Sequence, residues 1–217
     1  MTVSLPTALS LEGRRICVTG AASGIGRATA TAAAELGATL LLTDRAPLAD
    51  VERDLAAKGA TVDALEGDLT ADGFAAKLIE KGGTIHGLAH CAGILARTPL
   101  QDADNLRQRF HDTMDVNVRV PIDLGFTFTE HMAAHGGGAI VMVGSVAGRT
   151  GGTALSTPLD YSASKGAVHV VIRWLSRNAV GRGVLVNGVA PGPIETAMTA
   201  GSLVDGSALP RGRMGRP

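Results

Sequence analysis

The chain has 217 residues, of which 45% are hydrophobic, so it is long enough to bury the core of one domain. Its 20 basic and 20 acidic side chains give a formal net charge of +0, which argues against binding to nucleic acid or another polyanion. Aromatic residues make up 3% of the chain, too few for a surface on which unpaired bases stack.

Apolar runs typical of buried strands alternate with helical patterns along the chain. The predicted strands are residues 16–19, 39–43, 61–65, 85–90, 139–143 and 184–188, and the predicted helices are 24–36, 48–58, 71–81, 102–134 and 161–179. This alternation predicts an α/β fold with a doubly wound parallel sheet, covered by helices on both faces. We assign residues 11–217 to this single domain and residues 1–10 to an N-terminal arm.

The cellular compartment is predicted from the cysteines and the N-terminus. Cys17 and Cys91 lie in apolar runs, so they are expected to be small buried side chains in a reducing compartment and not a disulfide. The first ten residues lack the basic segment and apolar core of a signal peptide. Because no apolar run is long enough to span a bilayer, we expect a cytoplasmic protein without a membrane partner.

A glycine turn separates the first predicted strand from the first helix, with the sequence Thr19-Gly20-Ala21-Ala22-Ser23-Gly24-Ile25-Gly26. Glycines let the backbone approach a pyrophosphate, and the first N–H groups of the helix then face its negative charge. The spacing G-x-x-x-G-x-G differs from the commoner G-x-G-x-x-G. Taken alone, the motif therefore leaves two interpretations open, nucleotide binding and a plain structural turn.

The second predicted strand ends at Asp44, close to the acidic position expected about 20 residues beyond the glycines. A carboxylate there would accept hydrogen bonds from the adenosine ribose and repel a 2′-phosphate, so Asp44 favours NAD over NADP. Arg45 follows, and it would either pair with a phosphate or be an ordinary solvated arginine. We favour the solvated arginine.

The third and fourth predicted strands end in residues suited to the same ligand. Asp68, or the backbone of Leu69, would reach an adenine, while Asp68 is equally suited to capping a helix before Thr70. Cys91-Ala92-Gly93 ends the fourth strand, and these small residues allow a close approach of the backbone to a cofactor.

Ser145 ends the fifth predicted strand, and Tyr161 and Lys165 follow it four residues apart, which places them on one helix face. A lysine ammonium and a positive nicotinamide ring would lower the pKa of a tyrosine from its usual value near 10, which makes it a usable proton donor and acceptor. The alternative is a half-buried tyrosine with a solvated lysine.

Together these residues resemble the short-chain dehydrogenase/reductase family, from about residue 11 to the end of the chain. Each motif is weak alone, but the ordered set is highly specific. The matching motifs are Thr19-Gly20-x-x-x-Gly24-x-Gly26, Asp44, Asp68, Asp115-Val116-Asn117-Val118, Gly144-Ser145-Val146-Ala147-Gly148, Tyr161-x-x-x-Lys165 and Pro191-Gly192-Pro193-Ile194-Glu195-Thr196.

The resemblance implies a Rossmann-like fold and a catalytic set of four residues. Tyr161 would be the acid/base, and Ser145 would hold the substrate oxygen within its reach. Lys165 would bind the nicotinamide ribose and lower the tyrosine pKa. Asn117 would anchor a water that links Lys165 to solvent, or bond a neighbouring strand, or do both.

The resemblance also implies an NAD site, in which Thr196 and Ile194 hold the carboxamide. Ser23 stands where relatives that prefer NADP often have a basic residue, which again favours NAD. The implied cofactor-binding residues are Gly20, Ser23, Gly24, Ile25, Gly26, Asp44, Arg45, Asp68, Leu69, Cys91, Ala92, Gly93, Tyr161, Lys165, Pro191, Gly192, Ile194 and Thr196.

Three departures from the family pattern stand out. Cys91 replaces an asparagine that is mainly structural, and residues around 153–159 lengthen the segment before Tyr161. After Arg213, relatives continue into another helix and a final strand. We therefore expect an open sheet edge at residues 184–188, in a shortened product or covered by a partner chain. Residues 197–210 would be a mobile lid over the substrate or a frayed tail.

The expected activity is NAD(H)-dependent interconversion of a secondary alcohol and a ketone, with a 3-hydroxyacyl or similar small substrate. The rival interpretation is a nucleotide-binding relative without useful catalysis. A metal site is not expected, because His131 and His135 lack the intervening glutamate and a third ligand. Trp174 is predicted in the core or a dimer contact, and the resemblance implies a homodimer or homotetramer.

Overall fold

The computed structural model describes residues 9–96, 103–152, 157–200, 209 and 211–217. Within those ranges the strands are β1 (Arg15–Thr19), β2 (Thr39–Thr43), β3 (Val62–Ala64), β4 (Gly87–His90), β5 (Gly138–Val143) and β6 (Val184–Val189). They form one sheet in the order β3-β2-β1-β4-β5-β6, and every pairing is parallel. The predicted doubly wound sheet is therefore confirmed.

Helices connect the strands on both faces of the sheet. They are α1 (Gly24–Glu35), α2 (Ala49–Ala56), α3 (Phe74–Gly82), α4 (Ala103–Met114), α5 (Val120–Ala134), α6 (Ala147–Thr150) and α7 (Leu159–Ala179). A π-helical turn (Asp115–Arg119) joins α4 to α5, and a short 3₁₀ turn (Val180–Arg182) follows α7. With only four residues, α6 is too short to show the periodicity by which helices are recognised in a sequence.

The apolar core has two parts, one on each face of the sheet. On one face α1 and α2 pack against β1 and β2 through Val18, Ala30, Leu42, Val51 and Leu55. On the other face α3, α5 and α7 cover the sheet through Leu78, Leu124, Phe128, Ile140 and Val168. Burial on both faces explains why these strands are nearly continuous apolar runs.

The long helix predicted at residues 102–134 is interrupted at the π-helical turn. Pro121 lies in the first turn of α5 and has no N–H to donate to the carbonyl of Asn117, its α-helical partner. The amide of Val120 bonds instead to the carbonyl of Asp115, five residues earlier. The interruption therefore falls at Asn117, one of the predicted site residues.

Strand β6 is the last in the sheet order, as expected for the edge at residues 184–188, and Leu185 on it is 57% exposed. Beyond it, the described C-terminal residues return to the body of the protein, where Gly215 exchanges backbone hydrogen bonds with Pro193 and Glu195 at 2.9 Å each. In the described part of the chain, no helix combines the length and apolar character needed to cross a membrane.

Candidate active site

A cavity of about 240 Å³ opens beyond the carboxyl ends of β1, β2 and β4, where the strand order reverses. Ligands bind at such switch points in open α/β sheets. We call it the glycine-loop cavity. Its lining residues are Gly20, Ser23, Gly24, Ile25, Gly26, Asp44, Arg45, Gly67, Asp68, Leu69, Cys91, Ala92, Gly93, Ile94, Val116, Thr196 and Met198.

The turn between β1 and α1 has the form that only glycine allows at two positions. Gly20 has a φ of +69°, and a Cβ there would lie 2.8 Å from the backbone nitrogen of Ala92. A Cβ on Gly26 would lie 2.0 Å from the carbonyl oxygen of Gly20. The first turn of α1 contains no acidic residue, so its N–H groups present an uncompensated positive helix end to the cavity.

Asp44 is fixed at the cavity wall by the backbone around it. Its Oδ2 accepts a hydrogen bond from the amide of Ala22 at 3.0 Å, and its Oδ1 accepts one from Ala46 at 3.0 Å. Arg45 lines the same wall but is exposed to solvent. The structure thus places the predicted acidic residue against the glycine loop, with the arginine outside it.

Asp68 lines the cavity and holds the turn at Thr70, but it does not cap a helix as one sequence interpretation expected, because α3 begins at Phe74 after Gly73. Its Oδ1 accepts hydrogen bonds from the amide of Thr70 at 2.8 Å and from the Thr70 hydroxyl at 2.7 Å, which lowers the pKa of Asp68. Arg119 donates to the carbonyl of Thr70 at 2.7 Å and so ties this loop to the π-helical turn.

The end of β4 is held against β1 by one threonine hydroxyl. Thr19 Oγ1 accepts hydrogen bonds from the amides of Cys91 at 3.2 Å and Ala92 at 3.1 Å, and it lies 2.8 Å from Nδ1 of His90. With both amides donating to the oxygen, the hydroxyl proton is directed at Nδ1. Neutral His90 therefore completes the support of this cavity wall, and the Cys91 thiol lies 3.9 Å from Thr29 Oγ1 on α1.

We predict that protonation of His90 destabilises the fold. Burial lowers the pKa of His90 from 6.5 to about 3. Because the folded-state pKa lies below the unfolded one, its contribution to stability is complete above pH 6.5 and is lost as the pH falls towards 3. In that window this histidine should lower the free energy of unfolding by about 1.4 kcal/mol per pH unit.

Urea unfolding at several pH values between about 7 and 5 measures this slope. His90→Asn keeps an acceptor for the Thr19 hydroxyl without titrating, so its unfolding free energy should depend less steeply on pH. The control is His111→Asn, because the imidazole of His111 is exposed in the folded protein. Equal slopes for His90→Asn and the wild type would contradict the prediction.

Ser145, Tyr161 and Lys165 come together at the end of β5. The Ser145 side chain lies close enough to the Tyr161 hydroxyl to lower its pKa, and Lys165 Nζ lies 5.9 Å from the centre of the tyrosine ring. Lys165 is buried and donates a hydrogen bond to the carbonyl of Val143 at 2.9 Å. A Cβ on Gly93 would lie 3.4 Å from Lys165 Nζ, so the lysine lies against one lining residue of the glycine-loop cavity, although Lys165 and Tyr161 are not themselves among its lining residues.

Lys165 is not among the causes that shift the tyrosine pKa, so that part of the prediction is not confirmed, and the effect of the nicotinamide ring stays a prediction. Burial raises the pKa of Tyr161, and the nearby Ser145 side chain opposes this shift. Burial also lowers the pKa of Lys165, to about 8. The sequence argument considered the charges of the neighbours but not the cost of removing a phenolate from water, which is the larger effect here.

Asn117 is buried and clamps the chain just after β4. Its Nδ2 donates to the carbonyl of Ile94 at 2.9 Å and to Ser164 Oγ at 3.0 Å, while its Oδ1 accepts from the amide of Ile94 at 2.8 Å. A Cβ on Gly93 would lie 3.2 Å from Oδ1. The structural interpretation of Asn117 is therefore realised, on the wall between the cavity and Lys165.

The segment after β6 contributes unequally to the cavity. Thr196 lines it, and a Cβ on Gly24 would lie 3.0 Å from the Thr196 methyl group. Pro191, Gly192 and Ile194 are not among its lining residues, although the Pro191 carbonyl accepts the amide of Val146 at 3.0 Å. Most of the predicted lid at 197–210 and residues 153–156 of the lengthened segment lie outside the described residues.

Sequence reasoning missed several residues of the site. Gly67, Ile94, Val116 and Met198 line the cavity, but each lies beside a residue that could be placed from a motif. His169 was also missed, and its Nε2 lies 3.5 Å from the amide nitrogen of Ser145. It stands four residues after Lys165, on the same helix face, which was the available signal.

His131 and His135 have a structural role. Their rings stack with centroids 4.3 Å apart, and His131 Nε2 accepts the amide of Ile85 at 3.1 Å. Over the part of the chain that the structure describes, no three His, Cys, Asp or Glu side chains are grouped so that they could hold a metal ion.

Comparison with known proteins decides the family. The profile described as short chain dehydrogenase matches residues 14–205. The chain belongs to this family. A short-chain dehydrogenase relative from Cereibacter sphaeroides, galactitol 2-dehydrogenase (L-tagatose-forming), is 38% identical over 199 residues, which are 89% of this chain and 76% of that protein. Gluconate 5-dehydrogenase from Gluconobacter oxydans is 33% identical over 211 residues, 94% of this chain and 80% of that protein.

A solved structure agrees with this assignment. A Beutenbergia cavernae protein, provisionally described as an NAD(P)-dependent gluconate 5-dehydrogenase, contains NADP at low occupancy. It superimposes with a TM-score of 0.87 at 34% identity, over 96% of this chain and 86% of that one. The present short-chain dehydrogenase is therefore an oxidoreductase that acts on alcohol or ketone substrates with a nicotinamide cofactor. NADP in this neighbour gives no support to the expected preference for NAD.

Proposed function

We propose that this short-chain dehydrogenase interconverts a secondary alcohol and a ketone on a small polyhydroxylated substrate, with NAD as its preferred cofactor. The observation that carries the proposal is the grouping of Ser145, Tyr161 and Lys165 beside the glycine-loop cavity. The activities of the galactitol and gluconate dehydrogenases support the substrate class. The 3-hydroxyacyl substrate stays an untested prediction.

The glycine-loop cavity fits the proposed cofactor. Gly20 and Gly26 leave the close backbone space that a side chain would fill, and the N-terminus of α1 offers N–H groups to a pyrophosphate. Asp44 and Asp68 would receive the adenosine half, and Thr196 the carboxamide. When bound, the nicotinamide donates or accepts the hydride. We propose that the remaining cofactor contacts are made by the other cofactor-binding residues that the family resemblance implies.

The catalytic residues hold the substrate oxygen and move its proton. Ser145 would donate a hydrogen bond to that oxygen, and Tyr161 would give or take the proton at its hydroxyl. Burial lowers the pKa of Lys165 to about 8, so its ammonium predominates at neutral pH and stabilises a developing phenolate. Asn117 would anchor a water that links Lys165 to solvent, in addition to its bonds to Ile94.

Preference for NAD follows from the carboxylate of Asp44, which two backbone amides hold in place at the cavity. We expect NADH to raise the melting temperature clearly and NADPH to raise it little. A ligand at about 100 times its Kd adds roughly 2.7 kcal/mol to the free energy of unfolding. Thermal melts with each cofactor and with neither provide the measurement.

The matched variant is Asp44→Asn, which removes the charge and keeps the shape. It should narrow the difference between NADH and NADPH, because the repulsion of the 2′-phosphate is lost. The control is Asp50→Asn, an exposed carboxylate in the first turn of α2. An equal shift with both cofactors in the wild type would overturn the proposed preference.

Turnover tests the reaction. Oxidation of galactitol and of gluconate with NAD⁺ and with NADP⁺, followed by the absorbance of the reduced nicotinamide, should show activity on at least one of them. Stabilisation by a cofactor without turnover on these substrates would favour the rival interpretation, a nucleotide-binding relative without useful catalysis.

We also propose a cytoplasmic homodimer or homotetramer, with residues 11–217 as its single domain. A partly exposed aromatic pair supports the assembly. The rings of Phe126 on α5 and Trp174 on α7 lie 5.4 Å apart and are 47% and 48% exposed. Apolar side chains of this size on adjacent helices are typical of an interface between subunits.

A further inference from the structure

A buried polar seam joins α4 and the π-helical turn to α7. Arg109 donates to Asp160 through Nε and Nη2 at 3.1 Å each, and the Thr113 hydroxyl donates to Asp160 at 3.0 Å. Further along, Asn117 donates to Ser164 at 3.0 Å. All five side chains are buried, and we call them the α4–α7 seam.

Two residues of the seam directly precede the two proposed catalytic residues on α7. Asp160 and Ser164 lie four residues apart on α7, and Tyr161 and Lys165 directly follow them in the chain. Successive residues of an α-helix point about 100° apart. Fixing the direction of Asp160 and Ser164 therefore fixes the directions of Tyr161 and Lys165.

The ion pair of Arg109 and Asp160 is better suited to orienting these two side chains than to stabilising the fold. The side chains of Arg109 and Asp160 are 5% and 4% exposed, so both charges have lost most of their water. Apolar residues of similar size often replace such a pair without loss of stability. What the pair adds is geometry, because a guanidinium that bonds a carboxylate through two nitrogens fixes both side chains in direction.

The helix also needs such a support at this point. Asp160 is in the first turn of α7, whose N-cap residue, Pro158, makes no side-chain hydrogen bond to the helix. Leu159 beside it is 75% exposed. The polar contacts at this end of the helix come from Asp160 and from Ser162, whose hydroxyl donates to the carbonyl of Gly151 at 3.0 Å.

We propose that Arg109, Thr113 and Asp160 are positioning residues that set the rotation of α7 about its axis and thereby aim Tyr161 and Lys165 at Ser145. The inference rests on the catalytic roles proposed above for Tyr161 and Lys165. It adds three residues that are not among the lining residues of the glycine-loop cavity.

The test uses the single tyrosine of the chain. In protein labelled with ¹³C-tyrosine, one ring signal reports the surroundings of Tyr161, and its titration gives the pKa without any substrate. The main variant is Arg109→Met/Asp160→Leu, which keeps the net charge and replaces the pair by apolar side chains. Arg109→Lys keeps the charge but loses the two-nitrogen geometry.

We expect the double variant to fold, to keep its affinity for the cofactor, and to lose kcat by about 10- to 100-fold with little change in KM. Its tyrosine signal should shift, and the pKa of Tyr161 should move from its raised value towards 10, because a misdirected ring loses part of the burial that raises the pKa, and this change outweighs the loss of the opposing effect of Ser145. Arg109→Lys should show smaller changes in the same direction. If the double variant does not fold, the inference is tested with Arg109→Lys alone.

The control is the exposed pair Arg182–Glu130, which joins the 3₁₀ turn after α7 to α5 at 2.5 Å. Arg182→Met/Glu130→Gln should leave the tyrosine signal and kcat unchanged. An unchanged tyrosine signal and pKa in the folded seam variants would overturn the inference, even if the enzyme has no activity on the substrates tested. Loss of thermal stability alone, with kcat and the tyrosine signal retained, would show that the seam has only a structural role. That result would also overturn the inference.

Discussion

Tyr161→Phe is expected to lower turnover by roughly 10²- to 10⁴-fold, the usual contribution of a positioned acid/base. The substitution removes the hydroxyl beside Ser145 and leaves the ring in place. The glycine-loop cavity is lined by other residues, so stabilisation by NADH should persist. Initial rates with saturating cofactor, together with thermal melts, measure both effects.

The control for this variant is Ser176→Ala, which removes a hydroxyl from the same helix about four turns away. It should leave turnover and cofactor binding as in the wild type. Turnover that survives Tyr161→Phe would rule out the proposed acid/base. Loss of NADH stabilisation together with turnover would instead assign Tyr161 to cofactor binding.

The sheet was predictable because its strands are buried on both faces and therefore consist of nearly continuous apolar residues, which are easily recognised in the sequence. The glycine turn was predictable for a related reason, since the close contact of Gly26 with the Gly20 carbonyl excludes every side chain. The interruption at Asn117 was missed, although Pro121 signals it. The sequence pattern of α4 and α5 continues smoothly across the turn, and periodicity alone cannot register one changed hydrogen bond.

The α4–α7 seam could not be predicted in the same way. Arg109 and Asp160 are far apart in the sequence, and each is an ordinary charged residue of an amphipathic helix until the fold buries both. The raised pKa of Tyr161 could not be predicted for the same reason, because it depends on burial that only the packed structure reveals. Motifs thus identify which residues meet at the site, while the helix contacts behind them decide how they are aimed.

Gly148→Ala tests this distinction at the contact between α6 and α7. A Cβ on Gly148 would lie 2.5 Å from the carbonyl carbon of Lys165, and backbone cannot rotate away as a side chain can. The helices must separate, which should cost about 1–3 kcal/mol of unfolding free energy. The Gly148 amide bonds the Ser145 carbonyl at 3.1 Å, so the separation should move Ser145 from Tyr161 and lower turnover, while NADH still binds. Gly181→Ala, with no atom within 4 Å, is the control, and wild-type turnover in Gly148→Ala would show that the site tolerates this displacement.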